Sequence, residues 1–220
     1  MQKQTKISIA LAVVVTLVLA AMLLFLPGRG GDGPTAVTTA EEESVLVRED
    51  SHVLGEPAAE GGVTVVEFLD FECEACGAAY PFVEQLRKEY AGRVTFVARY
   101  FPLPGHFNAE RAARSVESAA RQGKFEEMYQ KMYDTQSSWG EGSEPLDDLF
   151  RSYAEELGLD MAQYDADYDS AEVAARVKKD MDDGIELGVQ GTPTFFVDGE
   201  PVELRSGDDL VRAVEDALAE

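Results

Sequence analysis

The chain has two cysteines, Cys73 and Cys76, both within FLDFECEACGAAYP at residues 68–81. Only Glu74 and Ala75 separate them. A loop this short removes little entropy from the unfolded chain, so the pair is a poor structural staple. The spacing suits thiol–disulfide exchange: one sulfur makes or accepts a mixed disulfide, and the other, a helical turn away, resolves it. A metal site would need about four ligands. Beyond the thiols the chain offers only His52 and His106, with no ligand spacing between them, so no metal is assigned. An inert structural pair is the remaining alternative.

The surrounding residues predict elements that present the pair. VTVVEFLD (63–70) is rich in β-branched and aromatic residues without clean alternation, as in a central strand buried on both faces. A helix follows over 74–91, with Ala78, Phe82, Leu86 and Tyr90 at four-residue spacing, and Pro81 should kink it. The cysteines thus fall where a strand gives way to a helix. Free N–H groups and a partial positive charge at the helix N-terminus stabilise a thiolate there. Cys73 is therefore assigned as nucleophile and Cys76 as resolving thiol.

RVTFVARY (93–100) predicts a second strand, and Asn108 caps the start of a long helical stretch reaching about Leu187. Glu144-Pro145 and Gly158 mark breaks within it. PTFFVDGEPVEL (193–204) reads as a hairpin turning at Asp198-Gly199. Ser206 caps a last helix carrying Leu210, Val214 and Leu218. Trp139, among SSWGEGSE, is a loop or core anchor, and His106 a helix-entry residue. An αβ core interrupted by a helical block is an α/β or α+β pattern.

These residues resemble the thioredoxin superfamily, and within it the DsbA-like disulfide oxidoreductases. The resemblance rests on the CxxC at the strand–helix junction with Pro81 eight residues after Cys73, on Glu67 six residues before Cys73, and on GVQGTPTFFVDG (188–199). It implies an α/β thioredoxin-like fold with an inserted helical subdomain at about 107–187. It also implies that Glu67 is a buried acid moving protons to and from Cys76, and that the Thr192–Pro193 bond is cis. The Thr192 backbone would then pair with substrate peptide as an added strand. No bound cofactor is implied. The family usually places proline after the first cysteine, often followed by histidine, whereas this chain has Glu74 and Ala75. With Glu72 and Asp70 also close, carboxylates should disfavour the Cys73 thiolate and make a weaker oxidant, Glu74 and Ala75 being the redox-tuning pair.

The N-terminus places this chemistry. Residues 7–26, ISIALAVVVTLVLAAMLLFL, lack charge, Gly and Pro and are long enough to cross a bilayer. Lys3 and Lys6 precede them, so the start is expected in the cytoplasm and the rest outside it. A signal peptide cleaved after Val18-Leu19-Ala20 competes, but the apolar run continues through Leu26. The expected organisation is an anchor at 1–27, a flexible tether at 28–49 and a DsbA-like domain at 50–220.

A net charge of −23 excludes nucleic acid as a partner, since such binding rests on Lys and Arg against phosphate. The sequence therefore predicts a membrane-anchored, extracytoplasmic enzyme that forms or rearranges disulfides in exported proteins. A quinone-linked membrane oxidase or a reductase would be its redox partner. A tethered reductase of the same fold and a peptide-binding module without turnover are the alternatives. No dimerising domain of the kind that accompanies isomerase activity is evident.

Overall fold

The computed structural model describes residues 44–220. The segment expected as a membrane anchor, residues 7–26, lies outside the described residues, as does most of the tether. Among the described residues no helix is long and apolar enough to cross a membrane.

Five strands form one sheet in the order β1-β3-β2-β4-β5. They are β1 (His52–Leu54), β2 (Val63–Leu69), β3 (Val94–Tyr100), β4 (Thr194–Val197) and β5 (Glu200–Pro201). β2 is central, parallel to β3 and antiparallel to β4. Its near-continuous apolar run is explained by two cores. Val65 and Leu69 face one, with Val83 and Leu86 of helix α1 (Glu74–Glu89) and Leu210 and Val214 of helix α7 (Gly207–Ala217). Val66 and Phe68 face the other, with Val97, Phe101, Val189 and Phe196. Alternation along the strand puts Glu67 on the side of Val65 and Leu69, among apolar neighbours.

Between β3 and β4 lie helices α2 (Ala109–Ala120), α3 (Phe125–Thr135), α4 (Asp147–Glu156), α5 (Met161–Tyr168) and α6 (Ala171–Glu186), with a 3-10 turn at Gln136–Ser138 after α3. This is the thioredoxin-like α/β fold with a helical insertion. Trp139 is a core anchor, edge-on to Phe150 with ring centroids 4.9 Å apart.

Four local expectations change. The buried face of α1 is Cys76, Val83 and Leu86, with Tyr90 just beyond, whereas Ala78 is exposed. A 3.6-residue period drifts off a strict four-residue stripe. Asn108 occupies the cap position of α2 without capping it. Its side chain instead donates to Glu144 O (3.1 Å) and accepts from Leu146 N (3.1 Å), tying down the loop before α4.

The short strand β1, antiparallel to β3, has no clear signal in three residues. Finally, residues 44–49 are part of the domain and not tether. Leu46 and Val47 pack on the second core. Arg99, fully buried, donates to the carbonyls of Val45 (3.0 Å) and Leu46 (2.6 Å) and to Asp180 (2.6 Å) and Asp183 (2.5 Å) of α6. Those carboxylates neutralise Arg99, and the carbonyls satisfy donors the carboxylates leave free.

Candidate active site

The chain leaves β2 at Leu69 and turns through Asp70–Glu72, with Cys73 N donating to Asp70 O (3.1 Å). Cys73 is the N-cap residue of α1, at φ −67° and ψ 119°. Cys76 falls in the first turn. Both thiols are free, Cys73 7% exposed and Cys76 0%. This small difference in exposure accompanies a large one in acidity.

The Cys73 pKa is lowered from 9.0 to about 5. A hydrogen bond from the Cys76 thiol is the largest cause of the lowering; the Thr192 side chain and the backbone N–H groups of Cys76 and Ala75 add to it, against a desolvation cost. As a thiol, Cys73 makes no side-chain cap bond. It donates instead to Thr192 O, 3.4 Å away. Cys76 moves the other way: burial, its bond to Cys73 and the nearby Glu67 and Cys73 charges raise its pKa well above 9.0. One sulfur is thus disposed to ionise at neutral pH and the other to hold its proton.

Glu67 lies beneath the pair, 4% exposed on β2 between Ala98 of β3 and Phe195 of β4. Burial, then the Glu84 and Cys73 charges, raise its pKa from 4.5 to about 8. Among the described residues no cation offsets that burial, so Glu67 holds a proton at neutral pH within electrostatic reach of Cys76.

The remaining acids differ from expectation. Asp70 is engaged by the surrounding loops: its carboxylate accepts from the backbone N–H of Glu72 (2.8 Å) and Leu103 (2.9 Å) and meets His106 Nδ1 at 2.7 Å. Glu72 accepts from Asn108 N at 2.6 Å. Glu74 is exposed and neighbours Glu141, whose pKa it raises. The expected rise in Cys73 pKa is overturned because these carboxylates are spent on loop N–H groups, on His106 or on solvent. His106, in the turn before α2, is a partner for Asp70, which raises its pKa against the effect of burial. His52 is engaged separately, by Glu117 at 2.6 Å.

The Thr192–Pro193 bond is cis, as the resemblance implies. Residues Leu187–Thr194 line a groove with Phe196 and Pro201. Sequence reasoning missed Gln136: from the 3-10 turn its amide donates to Phe71 O and Cys73 O, each at 2.8 Å. A single glutamine more than sixty positions away carries no local signal of such a contact.

A low-pKa cysteine at a helix N-terminus, a buried acid nearby and a cis-proline segment against the sulfur have counterparts in known proteins. The profile described as Thioredoxin matches residues 48–216. The chain belongs to the thioredoxin family. A thioredoxin-like oxidoreductase from Silicibacter pomeroyi DSS-3 is 30% identical, with a TM-score of 0.67 over 82% of this chain and 99% of that one. BdbD from Bacillus subtilis, in its oxidised form, has a TM-score of 0.67 at 22% identity, covering 77% of this chain and 94% of that one, and shares the fold.

Among curated sequences, the Na(+)/H(+) antiporter NhaA 1 of Mycobacterium sp. (strain KMS) is 35% identical over 176 residues, 76% of this chain but 27% of the antiporter. NhaA 3 of Salinispora tropica is 40% identical over 149 residues, 67% of this chain and 22% of that protein. The chain thus spans about a quarter of these relatives, and the likeness is to one segment of them. The helical insertion is part of a fold shared with oxidoreductase DsbA from Xylella fastidiosa, which has a TM-score of 0.60 at 20% identity over 74% of this chain and 89% of that one.

Proposed function

We propose that the protein is a membrane-tethered, extracytoplasmic enzyme that oxidises or rearranges the cysteines of exported proteins. The observation that carries this reading is the opposite displacement of the two thiols, Cys73 down to about 5 and Cys76 well above 9.0. A stabilised Cys73 thiolate favours the dithiol over the disulfide, which makes the disulfide an oxidant. The location rests on the apolar run at 7–26 behind Lys3 and Lys6.

In the proposed cycle a substrate thiolate attacks Cys73 Sγ, forming a substrate–Cys73 disulfide and releasing Cys76 as a thiolate. Glu67, neutral at the outset, gives Cys76 its proton. The second substrate thiolate then attacks the substrate sulfur of the mixed disulfide. The substrate disulfide forms, Cys73 leaves as a thiolate, and two electrons rest on the dithiol. Substrate peptide pairs with the Thr192 backbone ahead of Pro193, which orients its sulfur toward Cys73. A quinone-linked membrane oxidase would accept the electrons and restore the disulfide. No bound cofactor takes part in the exchange itself.

Trapping tests the roles. Full-length Cys76→Ser, incubated with a cysteine-containing client peptide activated as a mixed disulfide, should accumulate an adduct through Cys73, and Cys73→Ser should give none. Adduct formation through Cys76 would reverse the assignment. Undiminished client capture by the double serine variant, with no turnover in the parent, would make the protein a binding module.

A further inference from the structure

We propose that Gln136 is a positioning residue for the nucleophile: its amide, supplied by the helical insertion, clamps the carbonyls of Phe71 and Cys73 and so fixes Cys73 at the mouth of α1. The inference rests on the reading of Cys73 as the attacking sulfur and adds a part of the insertion to that reading.

A glutamine amide has two N–H donors. Here its Nε2 lies 2.8 Å from Phe71 O and 2.8 Å from Cys73 O, so both are spent on carbonyls on either side of Glu72. Gln136 is buried and belongs to the 3-10 turn that ends α3. Among the described residues it is the hydrogen-bond donor to Phe71 O outside regular helix and strand bonding. Cys73 O accepts in addition from Gly77 N at 3.0 Å, the first hydrogen bond of α1. The clamp therefore acts on the same carbonyl that starts the helix.

Gly77 shows that the fit is built around this side chain. A Cβ on Gly77 would lie 1.8 Å from Gln136 Oε1 and 2.7 Å from its Cδ. Any larger residue at 77 would drive the amide out of the loop. Glycine inside a helix costs stability relative to alanine; at this position it leaves room for the clamp.

The consequence for chemistry follows from direction. Two carbonyl oxygens, the negative ends of their peptide dipoles, are turned toward the insertion and held there. That keeps the Cys73 backbone in its extended cap conformation, with its sulfur set toward the N–H groups of Ala75 and Cys76 and toward Thr192. Without the amide Phe71 O loses its donor and Cys73 O keeps only the Gly77 N–H, so the turn that sets the sulfur toward its donors is held less firmly.

The test uses the full-length reduced protein. The Cys73 thiolate is titrated by absorbance at 240 nm and by the pH dependence of alkylation, with the modified cysteine located by mass. Gln136→Met keeps the side-chain length and removes both donors. Its titration midpoint should rise by about one unit, a tenfold change in ionisation constant. Gly77→Ala, which keeps the amide but displaces it, should give a similar rise, and the double variant should exceed neither single one, since both act on one contact.

A lower melting temperature with an unchanged midpoint in Gln136→Met would make the residue merely structural and overturn the proposal. If that variant does not fold, an unshifted midpoint in folded Gly77→Ala overturns it equally. A parent midpoint near the ordinary thiol value would instead remove the nucleophile assignment, and the clamp with it.

Discussion

Cys73 Sγ lies 3.4 Å from the carbonyl oxygen of Thr192, 119 positions further along the chain. This contact joins the N-cap of α1 to the cis-proline segment just before β4. Acidity and the cis-proline segment are brought together at one atom. The consequences can be measured separately.

The first concerns Glu74. It is exposed and absent from the principal influences on Cys73. Glu74→Gln is therefore expected to leave the Cys73 midpoint near 5. Thiolate absorbance between pH 3 and 9 checks this. A fall in the midpoint would restore the carboxylates to the tuning role that charge counting alone assigns them.

A second follows from Glu67, whose folded-state pKa of about 8 exceeds its ordinary 4.5. Below pH 4.5 the carboxyl is protonated folded or unfolded, and it contributes no pH dependence. Between 4.5 and 8 the unfolded chain ionises first, so folding is progressively penalised; above 8 the penalty is full. By linkage it reaches roughly 3–5 kcal/mol. Glu67→Gln should therefore stabilise the protein little at pH 4 and most at pH 9 in urea unfolding, while slowing protonation of Cys76 during turnover. Equal effects at both pH values would show that Glu67 titrates normally.

A third concerns the cluster that fastens the start of the domain. Asp180→Asn removes a charge that meets Arg99 and Arg176, both at 2.6 Å. Arg99 is fully buried, so the loss should cost about 3 kcal/mol. Lys178→Ala breaks an exposed pair with Asp182 and should cost under about 0.5 kcal/mol. Denaturant midpoints distinguish the two; similar values would mean that burial does not set the strength of these pairs.

Much of this site could be read from the sequence because its signals are local. Cys73 and Cys76 announce themselves by spacing, whereas Glu67, six residues before Cys73, and Thr192-Pro193, within GVQGTPTFFVDG, are legible through the family resemblance. What could not be read depends on partners far away in sequence. Asp70 and Glu72 look like a negative field around the sulfur until Leu103, His106 and Asn108 are seen to take up their carboxylates. Gln136 has no meaning until Gly77 opens a space for it. The short strand β1 and the packing of Leu46 and Val47 were hidden likewise, since they draw their order from β3 and α6 and not from their own propensity.

The most direct test of the account is the reduction potential of the Cys73–Cys76 pair in the full-length protein, equilibrated against glutathione buffers. A Cys73 pKa of about 5 lies between the values of about 7 for thioredoxin and about 3.5 for DsbA. The expected potential is accordingly in the oxidising range, about −120 to −180 mV. A value near about −270 mV, that of thioredoxin, would contradict the oxidising assignment and make the protein a reductase of the same fold.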